Sequence, residues 1–331
     1  MAVQQFQKTL DWEQYANKAL NGEVLSLEEG LHILNANNKE ILALMQAAYK
    51  VRYHYYRNKV KLNMIINAKS GLCPEDCGYC SQSITANTSV ERYPLLEKDV
   101  LVNGAEEAMK RKAGTYCIVM SGRGASNREI DQVVDAVKEI KAEMPSLKIC
   151  ACLGILSQDK VDKLKMAGVD RYNHNINTSK SHHQNITTTH TYDDRVHTIQ
   201  NVKTAGISPC SGVIIGMGET ANEVYEMAKA LRELDADSIP INFLHAIPGT
   251  KLEAMDELTP LYCLKVLALF RFMNPSKEIR ISGGREVNLR SLQGLGLYAA
   301  NSIFIGDYLT TEGQQYSSDY QMIEDLGFEI E

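Results

Sequence analysis

Short apolar segments alternate with amphipathic segments along most of this chain. Eight apolar segments are short, rich in Ile and Val, and mostly bounded by Gly, Pro, Ser or Asn, which is typical of β-strands. These predicted strands cover residues 62–67, 115–120, 147–152, 169–175, 207–216, 237–244, 278–283 and 301–306. The pattern predicts a series of strand–helix units.

Amphipathic helices are expected between the strands. One apolar stripe, with hydrophobic residues three and four apart, is expected to start at an N-cap formed by Asn127 and to end before Pro145. Its members are Ile130, Val133, Val134, Val137 and Ile140. Further helices are predicted from Ser157 to Gly168, from about Tyr192 to Gly206 and from Thr220 to about Leu234.

Eight strands that alternate with helices predict a parallel α/β fold. Eight strands can close a (β/α)8 TIM-type barrel, and an open doubly wound sheet is the alternative. Residues 1–57 are predicted to form an N-terminal helical cap, helical over 9–57, in which Ser26 and Glu29 form a capping box. The barrel is assigned to residues 58–310. Residues 311–331 form a C-terminal tail with a short helix near 318–326.

Composition narrows the class of protein. The 331 residues carry 35 Lys and Arg against 41 Asp and Glu, a net charge of −6, which argues against a broad nucleic-acid surface. The most apolar stretch, residues 261–273, contains Lys265 and Arg271 and is too short to cross a membrane. No signal peptide is visible at the N-terminus, so a cytoplasmic location is expected. Eight cysteines are too few for a disulfide scaffold and suggest metal or redox chemistry.

Three of the cysteines follow the first predicted strand. Cys73, Cys77 and Cys80 have the spacing C-x3-C-x2-C at the end of the strand where barrel enzymes place their active sites. A structural zinc site needs four ligands, and no second cysteine pair follows, while the adjacent His182 and His183 are expected to be solvated. Three thiolates on a [4Fe–4S] cluster would leave one iron open. The alternative is three unrelated loop thiols.

This motif at this position resembles the radical S-adenosylmethionine superfamily. The resemblance implies that Cys73, Cys77 and Cys80 hold a [4Fe–4S] cluster whose open iron chelates S-adenosylmethionine. It also implies reductive cleavage of the sulfonium to a 5′-deoxyadenosyl radical. A thiolate-held cluster can reach the low potential that this cleavage needs.

A second set of residues falls on other strands. Cys117, Cys150 and Cys210 lie on the second, third and fifth predicted strands, so all three could point into one barrel lumen. Strand alternation puts Arg280 of the seventh strand on the same face as Ser282. A buried arginine needs an anion or a polar network, and a salt bridge is the alternative. Alternation cannot separate Cys150 from Cys152, and Cys263 is interpreted as a core residue.

Four motifs resemble the biotin synthase family over roughly residues 25–310. They are Ile149–Gly154, Tyr172–Ser179, Pro209–Glu219 and Arg280–Glu286. The resemblance implies a second cluster, [2Fe–2S], held by Cys117, Cys150, Cys210 and an unusual arginine ligand, Arg280. It selects Cys150 over Cys152.

The same resemblance implies roles for residues around the clusters. Tyr79, Asn175, Asn177, Arg195 and Ile214 are expected to bind S-adenosylmethionine, and Asn175 and Asn242 are expected to contact the substrate. Asn177 stands where the family often has Asp, so the hydrogen-bonding reach is kept and the charge is lost. The alternatives are a hydrogen-bonded turn after the fourth strand, a surface charge at Arg195 and a strand-end polar residue at Asn242.

The implied activity is the last step of biotin biosynthesis: sulfur insertion into dethiobiotin, with Cys73, Cys77, Cys80 and Arg280 as the catalytic centre. Two S-adenosylmethionine molecules would be cleaved per product. The implied partners are reduced flavodoxin or ferredoxin and a second copy of the chain in a homodimer, with no nucleic acid and no membrane. One alternative is a related radical enzyme, such as one assisting [FeFe]-hydrogenase maturation. Another is a non-catalytic metal-binding protein.

Overall fold

The computed structural model describes residues 12–331. Every predicted strand is present, one of them as two shorter strands. The strands are β1 Lys59–Lys69, β2 Thr115–Met120, β3 Lys148–Cys152, β4 Arg171–Asn173, β5 Ser208–Cys210, β6 Val213–Ile215, β7 Ser238–Phe243, β8 Glu278–Ile281, β9 Ser302–Phe304 and β10 Glu329–Ile330.

The strands form a closed parallel barrel. Neighbours follow the order β1-β2-β3-β4-β5-β7-β8-β9, and β9 pairs with β1 through Lys61 opposite Ser302. β6 pairs with β7 and shares one barrel position with β5. Counted this way the barrel has eight positions, and the predicted (β/α)8 TIM-type fold is confirmed. The alternative of an open sheet is wrong.

Helices surround the barrel. They are α1 Trp12–Leu20, α2 Leu27–Leu34, α3 Ile41–Tyr56, α4 Lys98–Lys110, α5 Asn127–Glu143, α6 Gln158–Ala167, α7 His183–Ile186, α8 Tyr192–Thr204, α9 Ala221–Glu233, α10 Pro260–Met273, α11 Arg285–Leu289, α12 Gln293–Gly296 and α13 Tyr316–Asp325. Short 3₁₀ turns lie at Asn38–Glu40 and Arg290–Leu292. No helix within residues 12–331 is long and apolar enough to cross a membrane.

Three local features differ from the prediction. The predicted strand over 207–216 is two strands, because Gly212 passes so close to the Pro240 carbonyl that a Cβ there would lie 1.9 Å from it. The N-cap of α5 is Ser126, whose side chain and Glu129 form a capping box, and Asn127 is the first helical residue. β10 was not predicted; it pairs with the start of β1.

The N-terminal helices pack against the outside of the barrel. α1 and α3 contact α10, and α2 contacts α9 and α10. The predicted capping box of Ser26 and Glu29 opens α2. Residues 9–11 of the predicted helical segment lie outside the described residues.

Two buried arginines lie at the amino-terminal end of the barrel. Arg52 of α3 donates to the carbonyl oxygens of Lys59 and Ala300, at 2.9 and 3.3 Å. Arg271 of α10 donates to Ala299 O at 2.7 Å and Lys277 O at 2.8 Å. Both side chains are fully buried, so these carbonyls supply the partners that a buried guanidinium requires.

Candidate active site

The loop after β1 brings the cysteine triplet to the carboxyl end of the barrel. Cys73, Cys77 and Cys80 all line one cavity of about 300 Å³. Gly71 opens the loop with φ 67°, a left-handed conformation that favours glycine, and a Cβ there would lie 2.6 Å from Arg92 Cγ. The predicted gathering of three thiols beside the barrel mouth is therefore present.

An acidic residue between the cysteines ties this loop to the barrel. Asp76 accepts hydrogen bonds from Thr187 Oγ1 at 2.7 Å, Thr188 N at 2.9 Å and Thr188 Oγ1 at 2.5 Å. Burial raises the pKa of the Asp76 carboxyl, but the hydrogen bonds from Thr188 and Thr187 hold it well below its ordinary value. Asp76 therefore stays ionised and fixes the position of Cys77.

The preceding acid, Glu75, makes a parallel set of contacts. Its Oε2 accepts from Thr189 Oγ1 at 2.5 Å and pairs with His190 Nδ1, while Arg123 lies 3.6 Å from Oε1. Sequence reasoning missed Glu75, Asp76 and residues 187–190. Their only signal is two acids inside the cysteine motif and a run of threonines, and nothing in the sequence pairs these segments.

Burial disfavours the thiolate form of the three cysteines of the triplet. Burial raises the pKa of Cys73 and Cys77 and raises that of Cys80 to about 12. Binding of iron by these cysteines must therefore displace the thiol protons, as it does at thiolate sites in general. Within residues 12–331, no three Cys, His, Asp or Glu side chains are arranged to hold a single metal ion. Thiolates that each bind a different iron of a cluster do not need that convergence.

Three of the expected cofactor contacts form a connected group beside the triplet. The Asn177 amide lies 2.7 Å from the Tyr79 hydroxyl. When the amide is oriented so that Oδ1 faces donors only, Oδ1 accepts from Tyr79 Oη at 2.7 Å. It also accepts from Arg195 Nη2 at 3.2 Å and from Arg195 Nη1 at 3.3 Å. Asn177 has φ 65°, which Asn tolerates better than most residues. Arg195 is buried, so the alternative of a surface charge is wrong.

Asn175 and Ile214 complete the wall above the barrel. Asn175 Oδ1 accepts from Gly212 N at 2.9 Å, and its carbonyl accepts from Arg195 Nη1 at 2.9 Å. Ile214 N donates to Asn177 O at 2.8 Å, which joins the loop after β4 to β6. Glu219 receives Gly216 N and Met217 N at 2.7 and 2.8 Å and so caps the turn after β6.

Several buried polar atoms at the cavity have no partner within residues 12–331. They are Arg195 Nε, His174 Nε2, His190 Nε2 and Ser121 Oγ, and all four residues line the cavity. Buried polar groups without partners are costly unless a ligand satisfies them. This donor set fits a polar, zwitterionic molecule bound beside the triplet, as S-adenosylmethionine would be.

Deeper in the barrel a second group of thiols meets. β2, β3 and β5 place Cys117 opposite Cys150 and bring the Cys150 thiol within hydrogen-bonding reach of both Cys117 and Cys210. The Cys117 contact and burial raise the pKa of Cys150 well above its ordinary value, although the Cys210 contact lowers it, and the Cys150 contact and burial likewise raise the pKa of Cys210. Three thiols at one point fit a second iron–sulfur cluster.

Cys152 lies higher on the same strand. It lines the upper cavity, and burial raises the pKa of its thiol to about 12. Cys150, in contrast, packs with Cys117 and Phe304 below the cavity. Cys263 is fully buried in α10, as expected for a core residue.

Arg280 lies beside the deeper thiols. Its Nη2 donates to Glu278 Oε1 at 2.5 Å and to Ser238 Oγ at 3.0 Å, and its Nε donates to Ser302 Oγ at 3.3 Å. Within residues 12–331 its Nη1 makes no hydrogen bond. Burial lowers the pKa of Arg280, but Glu278, followed by Cys210 and Cys117, raises it above its ordinary value.

Glu278 is the buried carboxylate that pairs with Arg280 beside the deeper thiols. It also accepts from Arg171 Nη1 at 2.7 Å, and Lys61 Nζ lies 3.8 Å away. Burial raises the pKa of Glu278, but Arg280 and Arg171 hold it well below its ordinary value. The predicted alternative of a buried salt bridge at Arg280 is thus present, and it coexists with the placement of Arg280 beside the thiols.

The expected substrate contact, Asn242, is buried on β7 and lines the same cavity. It is held by three hydrogen bonds, one of them from the hydroxyl of Tyr308. Sequence reasoning missed Tyr308 and the neighbouring Thr310, whose hydroxyl lies 2.8 Å from Ser81 Oγ of the cysteine loop. The expectation that His182 and His183 are solvated is wrong. His182 Nε2 contacts Met217 O at 3.0 Å, and His183 Nε2 contacts His190 O at 3.1 Å.

Comparisons with known proteins identify the family of this chain. The radical SAM superfamily matches residues 69–231, and the Biotin and Thiamin Synthesis associated domain matches residues 240–329. Biotin synthase of Geobacillus kaustophilus (strain HTA426) is 67% identical over 321 residues, covering 97% of this chain and 96% of the relative. Biotin synthase of Bacillus pumilus (strain SAFR-032) is 65% identical over 323 residues, covering 98% and 97%.

The chain belongs to the biotin synthase family. Solved structures at low identity share the fold of this radical SAM enzyme. Methylornithine synthase matches with a TM-score of 0.84 and 19% identity over 96% of this chain and 97% of its own. The [FeFe]-hydrogenase maturase HydG from Carboxydothermus hydrogenoformans matches with 0.79 and 17% over 96% and 79%. Fold alone therefore does not separate the biotin synthase family from the maturase alternative, whereas sequence identity does.

Proposed function

We propose that this enzyme inserts sulfur into dethiobiotin to form biotin. The observation that carries the proposal is the pair of thiol groups at two depths of one barrel, Cys73, Cys77 and Cys80 at the mouth and Cys117, Cys150 and Cys210 below. A cavity between the two groups is where a substrate would meet both centres. The cofactors are S-adenosylmethionine, a [4Fe–4S] cluster and a [2Fe–2S] cluster.

We assign the clusters to these two groups. Cys73, Cys77 and Cys80 would hold the [4Fe–4S] cluster, and the deeper thiols with Arg280 would hold the [2Fe–2S] cluster. When bound, the first cluster with S-adenosylmethionine supplies a radical that removes hydrogen from an unactivated carbon, and the second supplies sulfur. Arg280 adds a positive charge where three thiolates accumulate negative charge in a low-dielectric lumen.

The surrounding residues bind and orient. Tyr79, Asn177, Arg195 and Ile214 are proposed to hold S-adenosylmethionine. Asn175 is proposed to contact both ligands, and Asn242 to contact dethiobiotin. The Arg195 guanidinium donates to the Asn175 carbonyl and to the Asn177 side chain. A cofactor bound at Arg195 would therefore contact the same loop that is proposed to contact the substrate. The deep position of the cavity excludes bulk water from a reactive carbon radical.

The division of the chain and its location are proposed from the sequence pattern, and the partners from the family resemblance. We propose residues 1–57 as the helical cap, 58–310 as the barrel and 311–331 as the tail. We also propose reduced flavodoxin or ferredoxin as the electron donor, and a cytoplasmic homodimer as the working form.

Anaerobic reconstitution tests the activity. The enzyme is loaded with iron and sulfide, then reduced in the presence of S-adenosylmethionine and dethiobiotin, with products measured by mass spectrometry. We expect biotin and 5′-deoxyadenosine, and no biotin when dethiobiotin is omitted. Cleavage of S-adenosylmethionine without any biotin would favour another radical enzyme of this fold, and no cleavage at all would favour a metal-binding protein.

The variant Arg280→Met tests the role of the buried arginine. Removing one partner of a buried ion pair costs roughly 3–5 kcal/mol when the other charge is left unpaired. Here Arg171 still contacts Glu278, so the loss of stability should fall below that range and the fold should survive. The visible spectrum or potential of the second cluster should shift, because charge and hydrogen bonds set cluster potentials.

Arg171→Met is the matched control, since it removes the other cation from the same carboxylate. It should destabilise the fold without a comparable spectral shift. If Arg280→Met unfolds the protein and any assembled cluster keeps its spectrum, Arg280 acts only as a salt-bridge partner.

A further inference from the structure

Tyr308 follows β9 and lies between the substrate cavity and the deeper thiols. Its backbone is fixed by mutual hydrogen bonds with Thr311, Tyr308 N to Thr311 O at 2.9 Å and Thr311 N to Tyr308 O at 3.1 Å. The side chain lines the cavity and also packs against the apolar cluster of Cys117, Cys150 and Phe304. Tyr308 therefore separates the cavity that the triplet lines from the deeper thiols.

Three hydrogen bonds fix the Asn242 amide, and the Tyr308 hydroxyl makes one of them. It donates to Asn242 Oδ1 at 2.8 Å, and Gly283 N donates to the same oxygen at 3.0 Å. Asn242 Nδ2 donates to Val213 O at 2.9 Å. Both acceptor positions of the oxygen are thus filled, and one of the two amide hydrogens is used. The second amide hydrogen has no acceptor within residues 12–331, and Asn242 lines the cavity.

The Tyr308 ring packs against Phe304, which in turn contacts Arg280 beside the deeper thiols. Its centroid lies 5.5 Å from that of Phe304 in an edge-to-face arrangement, and the Arg280 guanidinium lies 4.9 Å from the centroid of Phe304. Gly283 lets the ring pack closely, since a Cβ there would lie 2.8 Å from a ring carbon. The hydroxyl is held in place by a ring that is itself packed on both sides.

We propose that Tyr308 is a positioning residue that orients Asn242 so that its free amide hydrogen faces an acceptor oxygen of the substrate, such as a urea or carboxylate oxygen. This inference rests on the proposed function, because it takes dethiobiotin as the molecule in the cavity. A tyrosine hydroxyl ordinarily loses its proton only at about pH 10, so it is a donor at neutral pH. Without that donor, Gly283 N and Val213 O still fix which end of the amide is which, but the amide plane can tilt and the free hydrogen loses its fixed direction.

The variant Tyr308→Phe removes the hydroxyl and keeps the ring. Binding is measured by calorimetry, titrating dethiobiotin into oxidised enzyme that carries both clusters and S-adenosylmethionine, so that no turnover occurs. We expect dethiobiotin to bind roughly 2- to 10-fold more weakly, the effect of losing one hydrogen bond. The visible spectra of both clusters should match those of the unsubstituted enzyme, and the ratio of 5′-deoxyadenosine to biotin should rise on reduction.

Tyr225→Phe is the matched control. The Tyr225 hydroxyl is also buried and donates at 2.8 Å, to Leu25 O, away from the cavity. It should cost similar stability and leave dethiobiotin binding unchanged. Equal binding by Tyr308→Phe and the unsubstituted enzyme would overturn the proposal, as would an equal loss in Tyr225→Phe.

A double variant separates orientation from direct contact. If Tyr308 acts through Asn242, adding Tyr308→Phe to Asn242→Ala should have little further effect on the KM for dethiobiotin. Additive effects would mean that the hydroxyl contacts the substrate itself and would overturn the positioning role. If the unsubstituted enzyme does not bind dethiobiotin, the proposed function fails. If it binds and Tyr308→Phe binds equally well, only this inference fails.

Discussion

Replacing any one of Cys73, Cys77 and Cys80 with alanine is expected to abolish formation of 5′-deoxyadenosine. Three thiolates leave only one open iron, so the loss of one ligand removes both the cluster and the site that chelates S-adenosylmethionine. The product is measured by chromatography after anaerobic reconstitution and reduction. The effect should be a fall to background rather than a graded loss.

Cys263→Ala provides the matched control for the triplet. Cys263 is a buried thiol in α10 outside the cavity, so its replacement should leave cleavage intact. The triplet variants should also retain the absorption of the second cluster, because the deeper thiols lie in other strands. Cleavage at the unsubstituted rate in a triplet variant would refute the radical assignment.

Replacing Cys150 with alanine is expected to remove the second cluster, whereas replacing Cys152 is expected to preserve it. Cys150 meets Cys117 and Cys210 below the cavity, and Cys152 lines the cavity two residues further along the same strand. The visible absorption of the second cluster, together with the yield of biotin, reports the difference. The two variants are each other's control, since both remove one thiol from β3.

The opposite result would identify Cys152 as the ligand and would place the second centre nearer the mouth. Loss of the cluster in both variants would mean that the second cluster needs both thiols of β3, and the assignment of Cys150 alone would be wrong. In each case S-adenosylmethionine cleavage should continue in the absence of the second cluster, because the triplet is intact.

Local sequence pattern predicted the order of strands and helices, whereas closure into a barrel depends on the pairing of β1 with β9, which joins distant segments. Six of the eight predicted strands begin and end within two residues of the observed strands. The prediction for β2 matches both bounds, Thr115–Met120. The split between β5 and β6 could not be predicted, because it depends on the approach of Gly212 to Pro240, a contact between segments far apart in sequence. The N-cap at Ser126 was available from its pairing with Glu129, and Asn127 was chosen instead.

The thiol groups were predictable for different reasons. The triplet is compact in sequence, so its spacing alone indicated one site. The deeper thiols were joined only by family motifs, since strand alternation says which face a residue occupies and not which strands close together. The anchoring of Asp76 by Thr187 and Thr188 and the contact of Tyr308 with Asn242 join distant segments, and no local pattern predicts them.

The charged layer at the lower end of the barrel bears on how the enzyme would be assembled. Arg280 and Glu278 pair beneath the deeper thiols, and Arg52 and Arg271 bind carbonyl oxygens next to β1, β8 and β9. If the deeper thiols hold the second cluster, its iron and sulfide would enter through the mouth, past the triplet. The inner cluster would then be built before the outer cluster and dethiobiotin occupy the mouth, and rebuilding it would require the product to leave first.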